Sequence, residues 1–147
     1  MLKIKLDVST EKEEEIKETL EKLGIIISDD ADYVLSENME NSHIVCKKGE
    51  QIHQIPIAEI VYIESQDHYL IIRTKNDFYY VRETIHYYEK HLPSDFIRVH
   101  RSYIVNKNMI EYITPLLGMK FNLLMATKEK ISVSRSYYFQ FKEKIGI

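Results

Sequence analysis

From residue 43 onward, short runs of β-branched and aromatic residues alternate with clusters of turn-forming residues. This pattern most constrains the fold, because such runs suit pleated strands and Gly, Asn and Asp suit the turns between them. Tight turns are expected at Lys48-Gly49-Glu50, Lys75-Asn76-Asp77, Leu117-Gly118 and Lys128-Glu129. Eleven Tyr, five Phe and only four Gly favour the same conclusion, so the chain is predicted to be mainly β.

Two segments interrupt these strands with helical patterns. ETIHYYEKHL predicts a helix with Thr84 as its N-cap, and the C-terminal RSYYFQFKEKIGI predicts a helix capped by Ser134 or Ser136. FIRVHRSYIVN, residues 96–106, predicts a strand, although it carries two arginines, a histidine and an asparagine. A strand turns one face to the core, so the polar side chains must meet water or a partner.

The first 42 residues have a different character. Alternating apolar residues in 2–8 predict a strand, an acidic helix follows, and two more strands are expected before a polar linker at 37–42. We therefore expect a β-α-β-β unit in residues 1–42 and a larger domain in residues 43–147. The smaller unit is too short to bury a proper core alone, so it must pack on the rest of the chain or on another copy of itself.

Charge is distributed unevenly between these two parts. The net charge is −3, but residues 1–42 carry −7 while residues 43–147 carry +4 and all six histidines. Such an asymmetry suggests two units with different partners, and the alternative is an acidic solvated helix beside an ordinary domain. The overall negative charge therefore does not exclude a nucleic-acid partner for the larger part.

Several classes of function are disfavoured. The single Cys46 cannot form an internal disulfide, no apolar run approaches the ~20 residues of a membrane span, and the N-terminus does not resemble a signal peptide. Metal motifs, phosphate-binding glycine loops and nucleophile elbows are absent from the sequence. A His68–His100 acid–base pair is the remaining catalytic alternative, and nothing supplies a nucleophile or metal beside it. We therefore expect a cytoplasmic protein without membrane insertion, cofactor, metal site or catalytic residues.

Basic and hydrogen-bonding side chains recur at turns or strand ends in the larger part. They are His68 in SQDHYL, His100-Arg101-Ser102 in RVHRSY and Ser134-Arg135-Ser136 in SVSRSY. Arginine can donate twice to guanine O6 and N7, and histidine can donate to or accept from a base edge. Serines beside them suit phosphate oxygens. The alternative is that the arginines form surface ion pairs and the serines cap helices.

Three stretches resemble the LytTR family of bacterial DNA-binding domains in order and spacing: IPIAEIVYIESQDHYLIIRT, LPSDFIRVHRSYIVNKNMIEYI and KISVSRSYY. The resemblance covers residues 43–147, and its F-x-R-x-H-R-S-Y-x-V-N core is long and mixed in chemistry. It implies an elongated, mainly β fold of about ten short strands in three sheets with short helices. It also implies binding to promoter DNA through loops in successive major grooves, without a recognition helix.

The resemblance assigns roles to individual residues. It implies base contacts from His68, Arg101 and Arg135. It implies supporting or phosphate-contacting roles for His100, Ser102, Asn106, Ser134 and Ser136. It also implies core positions at Tyr62, Ile63, Phe96, Val99 and Val105.

Members of the family often carry a receiver domain with a phosphoacceptor aspartate, which needs about 120 residues. Only about 42 residues precede the matching segment, so we expect no receiver in this chain. Asp29, Asp30 and Asp32 are expected to form a polar turn. Residues 1–42 are expected instead to mediate dimerisation, to bind a partner protein or to brace the fold.

These observations predict a bacterial transcription regulator that binds double-stranded DNA sequence-specifically through loop residues in the major groove. One short domain contacts few base pairs, so two copies are expected on paired half-sites, as a homodimer at least on DNA. The alternative is a protein-interaction module that keeps the fold and acts on another regulator or on a membrane partner.

Overall fold

The computed structural model describes residues 1–8, 10–37 and 42–147, except for the side chain of Glu11. The chain divides into two compact units, residues 1–38 and 39–147. The predicted linker at 37–42 lies mostly outside the described residues. None of the helices in the described part of the chain is long and apolar enough to span a membrane.

The N-terminal unit has the predicted β-α-β-β order. It consists of β1 (Lys3–Asp7), α1 (Thr10–Lys22), β2 (Ile26–Ile27) and β3 (Tyr33–Ser36). The central strand β1 pairs in parallel with both neighbours, so the sheet order is β2-β1-β3. Parallel pairing of β1 with β2 requires a crossover connection, which α1 supplies.

The larger unit contains ten strands and two α-helices among its described residues. The strands are β4 (His43–Lys48), β5 (Gln51–Pro56), β6 (Ile60–Ser65), β7 (Leu70–Thr74), β8 (Phe78–Val81), β9 (Phe96–His100), β10 (Tyr103–Asn106), β11 (Ile110–Leu116), β12 (Lys120–Met125) and β13 (Lys130–Val133). The helices are α2 (Ile85–His91) and α3 (Tyr138–Ile145). This mainly β architecture and its turn positions confirm the predicted fold class.

The ten strands form two sheets in the described residues, whereas the resemblance implies three. Seven strands follow the order β5-β4-β8-β7-β6-β10-β9, and three follow the order β11-β12-β13. The difference arises at one junction, because β4 joins β8 through the single residue pair Lys47–Tyr80. Without that pair, the β4–β5 hairpin would be a separate third sheet.

Of the two helix caps predicted in the larger unit, one is confirmed and one is wrong. The Thr84 hydroxyl accepts a hydrogen bond from the backbone N–H of Tyr87 at 3.1 Å, which confirms the predicted N-cap of α2. The predicted capping of the last helix by Ser134 or Ser136 is wrong. A 3-10 turn at Arg135–Tyr137 precedes α3, and Tyr137 occupies the N-cap position without a side-chain bond.

Two hydrophobic cores stabilise the larger unit. One combines α2 with strands of the seven-stranded sheet, and the other combines α3 with both sheets. The core positions implied by the resemblance are all buried, namely Tyr62, Ile63, Phe96, Val99 and Val105. Full burial of such side chains contributes about 1.5–3 kcal/mol each. β9 contributes to both cores and is therefore held on both faces.

Candidate nucleic-acid interface

The stretch 96–106 is a tight hairpin, so its interpretation as one continuous strand is wrong, whereas the placement of residues 100–102 at a turn or strand end is confirmed. β9 ends at His100, Arg101 and Ser102 form the turn, and β10 begins at Tyr103, which pairs with His100. The turn lacks the Gly or Asn that marks many two-residue hairpins. The imidazole of His100 helps to stabilise it, because Nδ1 accepts a hydrogen bond from the backbone N–H of Ser102 at 3.1 Å.

The His68 turn lies at the same end of the sheet as this hairpin turn. The backbone N–H of Ser65, the last residue of β6, donates to the carbonyl oxygen of Ser102 at 2.8 Å. The turn between β6 and β7 is closed by a bond from the N–H of Gln66 to the carbonyl of Tyr69 at 2.9 Å. His68 is inside this turn and exposed.

Arg135 lies at the same end of the larger unit, just after strand β13 of the three-stranded sheet. The backbone N–H of Ser134 donates to the carbonyl of Val99 at 2.9 Å, one residue before the end of β9. Arg135 follows immediately and is exposed, as is Arg101. Hydrogen bonds between neighbouring segments thus bring the three residues predicted to contact bases to one end of the larger unit, on three separate turns.

Arg98, which the sequence analysis did not select, holds two of these turns. Its Nε donates to the carbonyl of His100 at 2.9 Å and its Nη2 donates to the carbonyl of Arg101 at 2.5 Å. Its Nη1 contacts a carboxylate oxygen of Glu89 in α2 at 3.3 Å. The guanidinium also lies 5.7 Å from the ring centre of Tyr137, in the turn that carries Arg135.

The side chain of Arg98 is only 10% exposed, so its charge is largely removed from water. A buried guanidinium is tolerated when its donors are satisfied, and here they bind two carbonyl oxygens and a carboxylate. The local sequence gave no signal for this role. In a strand, Arg98 points away from the face that buries Ile97 and Val99, so its partners depend on segments that are distant in the chain.

The predicted supporting residues divide into two groups. Asn106 is 3% exposed, its Nδ2 donates to the carbonyl of Ile60 at 2.9 Å and its Oδ1 accepts from the N–H of Asn108 at 3.1 Å. Asn106 therefore supports the fold, and its burial excludes the phosphate contact that was its other predicted role. His100, Ser102 and Ser134 are half-buried at the turns and Ser136 is exposed.

His100 has a defined hydrogen-bonding state in this arrangement. Because Nδ1 accepts from Ser102, the neutral ring carries its proton on Nε2. The ring also packs edge-on against Tyr103, with centroids 5.9 Å apart. His100 therefore stabilises the hairpin turn with one nitrogen and has a donor on the other.

Tyrosine–carboxylate contacts brace the strands behind the turns. The Tyr103 hydroxyl donates to Glu64 at 3.0 Å, and burial together with this bond raises the pKa of Tyr103 to about 12. Glu129 accepts from the Tyr62 hydroxyl at 2.5 Å and from Arg73 Nε at 3.1 Å. Burial alone would raise the pKa of Glu129, but its hydrogen bonds together with the positive charge of Arg73 outweigh burial, so the pKa is lowered.

A further arginine at this end was also missed. β7 and β8 pair through Leu70 and Val81, so Arg82 lies one residue beyond the last pair, beside the segment that carries His68. Arg82 is exposed and follows a strand directly. The same signal identified Arg135, a cation at a strand end, and it applies equally to Arg82.

Comparison with known proteins places these features in a family. The sequence model described as "LytTr DNA-binding domain" matches residues 50–146. The sensory transduction protein LytT of Bacillus subtilis strain 168 is 36% identical over 141 residues, covering 92% of this chain and 56% of that protein. LytR of Staphylococcus epidermidis is 31% identical over 144 residues, covering 97% and 55%. The chain thus spans about half the length of these relatives.

A solved structure agrees with the sequence comparison. The LytTr DNA-binding domain of a putative methyl-accepting/DNA response regulator from Bacillus cereus superposes with a TM-score of 0.69 and 30% identity. The match covers 72% of this chain and 98% of that domain. The domain in that structure is therefore similar to the larger unit in both sequence and fold.

Proposed function

Since this chain belongs to the LytTr family of DNA-binding domains, we propose that it is a transcriptional regulator that recognises specific duplex sequences through turns placed in the major groove. The observation that carries the proposal is the convergence of the His68, Arg101 and Arg135 turns at one end of the larger unit. The family is defined by DNA binding and not by a catalytic activity, so the proposed action is binding alone.

Two kinds of contact supply affinity and selectivity in this proposal. Exposed cations neutralise phosphates and release counterions, which contributes affinity without regard to sequence. Arg101 and Arg135 then donate to guanine O6 and N7, and His68 donates to or accepts from a base edge. Each good base contact contributes about 1–3 kcal/mol of discrimination against the wrong base.

Preorganisation supports this assignment of roles. Binding loses affinity whenever a loop must be ordered at the interface. Arg98 fixes the backbone of the Arg101 turn through two carbonyl oxygens and contacts Tyr137 beside Arg135. The cost of ordering these turns is therefore met by folding, before DNA arrives.

Phosphate contacts are proposed for the remaining polar groups at this end. Hydroxyls, backbone N–H groups and arginines commonly bind phosphate oxygens and thereby position a protein on the duplex. The groups with suitable exposure and chemistry are His100, Ser102, Ser134, Ser136 and Arg82. These contacts set the register in which the base-contacting residues meet the groove.

Two copies of the chain would act together on paired half-sites. One domain with three base-contacting turns covers few base pairs, and a second copy doubles the sequence that is recognised. We assign DNA binding to residues 43–147 and association with a second copy or a partner protein to residues 1–42. Such a regulator works in the bacterial cytoplasm, where the chromosome lies.

The experiment compares wild type with Arg135→Ala on a duplex site selected from a random library and on a scrambled duplex. We expect Arg135→Ala to weaken binding to the selected site about tenfold or more, since a base contact is lost. Its affinity for the scrambled duplex should change little. Lys75→Ala is the matched control, because Lys75 is an exposed cation on the turn between β7 and β8, away from Arg135. An equal loss of affinity for both duplexes would show that Arg135 contacts phosphate and not a base.

A second candidate function is a protein-interaction module. Val45 and Ile52 on the β4–β5 hairpin are 58% and 67% exposed, and exposed apolar side chains of this kind suit a protein partner. The salt dependence of DNA affinity discriminates between the two functions. A regulator that releases counterions loses affinity steeply as salt rises, whereas an interaction module selects no duplex from the library.

A further inference from the structure

The N-terminal unit lacks a buried core. Among its described residues, none reaches full burial, and the apolar side chains of β1 and α1 are at most half-buried. In the part of the chain that the structure describes, the buried residues all belong to the larger unit. Segments of about 40 residues usually need a metal, disulfides or association to fold stably. The N-terminal unit contains no cysteine, so a disulfide cannot supply this stability, whereas association with a second copy can.

The strand β3 is an exposed sheet edge with an apolar sequence. Its four residues, Tyr-Val-Leu-Ser, are all exposed, with Tyr33 at 62% and Val34 at 59%. It pairs with β1 on one side and is the last strand of its sheet. Edge strands are commonly protected from pairing by proline or by charged residues, and β3 contains neither.

Other sheet edges in the molecule carry the protection that β3 lacks. β5 ends in Pro56, and β11 contains Pro115, which cannot donate a backbone hydrogen bond. The opposite edge of the N-terminal sheet, β2, is only two residues long. A two-residue strand is a poor template for pairing, so β3 is the single competent edge among the described residues of this unit.

We propose that two copies of the chain associate by antiparallel pairing of β3 with β3 about a two-fold axis perpendicular to the sheet. The product is one six-stranded sheet in the order β2-β1-β3-β3-β1-β2. A second copy fits this edge because an isologous contact needs only one self-complementary surface, and two-fold dimers are the commonest oligomers. Because each copy offers one edge that can pair, the assembly stops at two copies.

The side chains of β3 favour this arrangement. Tyr33 and Leu35 are paired in register with Ile4 and Leu6 of β1, so these four side chains lie on one face of the sheet. A two-fold axis perpendicular to the sheet preserves that face. Tyr33 and Leu35 of both copies therefore form one continuous apolar strip, in which each copy covers surface that the other exposes.

Charge repulsion between the two acidic helices does not oppose this contact. The acidic helix α1 packs against β2, which is the strand farthest from β3 in the sheet. In the six-stranded sheet the two β2 strands are separated by five spacings, or about 24 Å at ~4.8 Å each. The Debye length in physiological salt is about 8 Å, so the two acidic helices are screened from each other.

The inference does not rest on DNA binding, because the association is measured with the full chain in the absence of DNA. Sedimentation equilibrium of wild type should show a dimer with a dissociation constant in the micromolar range, since a pair of four-residue strands buries less than the ~1,600 Å² of a standard interface. Val34→Lys should weaken the dimer tenfold or more, because the two like charges then lie close together on one face of the paired strands.

Tyr112→Lys is the control, because Tyr112 is a similarly exposed side chain, at 66%, on strand β11 of the larger unit. It should dimerise as wild type does. An equal mixture of Val34→Lys and Val34→Glu should restore the dimer, since opposite charges attract at the same positions. Restoration also shows that both variants are folded.

Three results would overturn the proposal. The first is a wild-type chain that stays monomeric at all concentrations, which would leave this edge for a different protein. The second is a Val34→Lys variant that dimerises as well as wild type or no worse than Tyr112→Lys. The third is a mixture of the two Val34 variants that remains monomeric.

Discussion

Replacing Arg98 by Lys tests whether the scaffold behind the Arg101 turn determines sequence discrimination. Lysine keeps the positive charge but offers one compact ammonium in place of a planar fork. It can reach one of the carbonyl oxygens of His100 and Arg101, but it cannot bind both while contacting Glu89. The substitution therefore removes the planar, multiply donating guanidinium and leaves the net charge of the protein unchanged.

The magnitude of the effect follows from the contacts that are lost. A hydrogen bond to a charged group contributes about 1.5–3 kcal/mol, and a cation–π contact such as that with Tyr137 contributes about 0.5–1 kcal/mol. Loss of one bond and of the aromatic contact should lower the free energy of unfolding by about 2–4 kcal/mol. If the Arg101 turn then moves, one base contact is lost, which corresponds to about tenfold to a hundredfold weaker binding of the selected site.

The assay is fluorescence anisotropy with the selected and scrambled duplexes over a range of salt concentrations, beside urea unfolding. Arg98→Lys should reduce the ratio of the two affinities while the salt slope stays unchanged, because no charge is removed. Arg73→Lys is the control, since Arg73 is a half-buried arginine that bonds Glu129 and lies in β7 away from the turns. Arg73→Lys should lower the free energy of unfolding and leave the ratio of the affinities for the two duplexes unchanged. An unchanged ratio in Arg98→Lys would show that the Arg101 turn keeps its conformation without the contacts of the guanidinium.

Two further predictions concern stability. Asn106→Ala should lower the free energy of unfolding by about 1–3 kcal/mol in urea, because the buried carbonyl of Ile60 loses its donor, whereas exposed Asn76→Ala should change it by less than about 0.5 kcal/mol. Similar values for both variants would contradict this account. The lowered pKa of Glu129 stabilises the fold above the ordinary carboxyl pKa of about 4.5, and this contribution disappears as the pH falls through the lowered value. Wild type and Glu129→Gln should therefore differ most near neutral pH and converge in acid, and a constant difference would argue against the ionised carboxylate.

The sequence predicted those parts of the fold that depend on local patterns. The turns near Gly49 and Asn76 were identified because their residues suit tight turns, and the Thr84 cap because its hydroxyl precedes a helical pattern. Core positions such as Ile63 and Val99 followed from the resemblance and are fully buried.

What the sequence did not predict depends on contacts between distant segments. The Arg101-Ser102 turn has no glycine or asparagine, and its partners are supplied by His100, Arg98 and a neighbouring strand. The role of Arg98 requires α2 and the segment before α3 to meet at one guanidinium, which no local pattern reveals. The same limit explains why one residue pair between β4 and β8 decides the number of sheets.

The support that Arg98 gives to the hairpin turn has an evolutionary consequence. Arg98 binds the main-chain oxygens of residues 100 and 101, so it holds the turn whatever side chain residue 101 presents. The backbone of the turn is thereby held independently of the side chain that it presents. If residue 101 contacts a base as proposed, a lineage can change its preferred operator by a single codon at position 101, without any compensating change in the body of the domain.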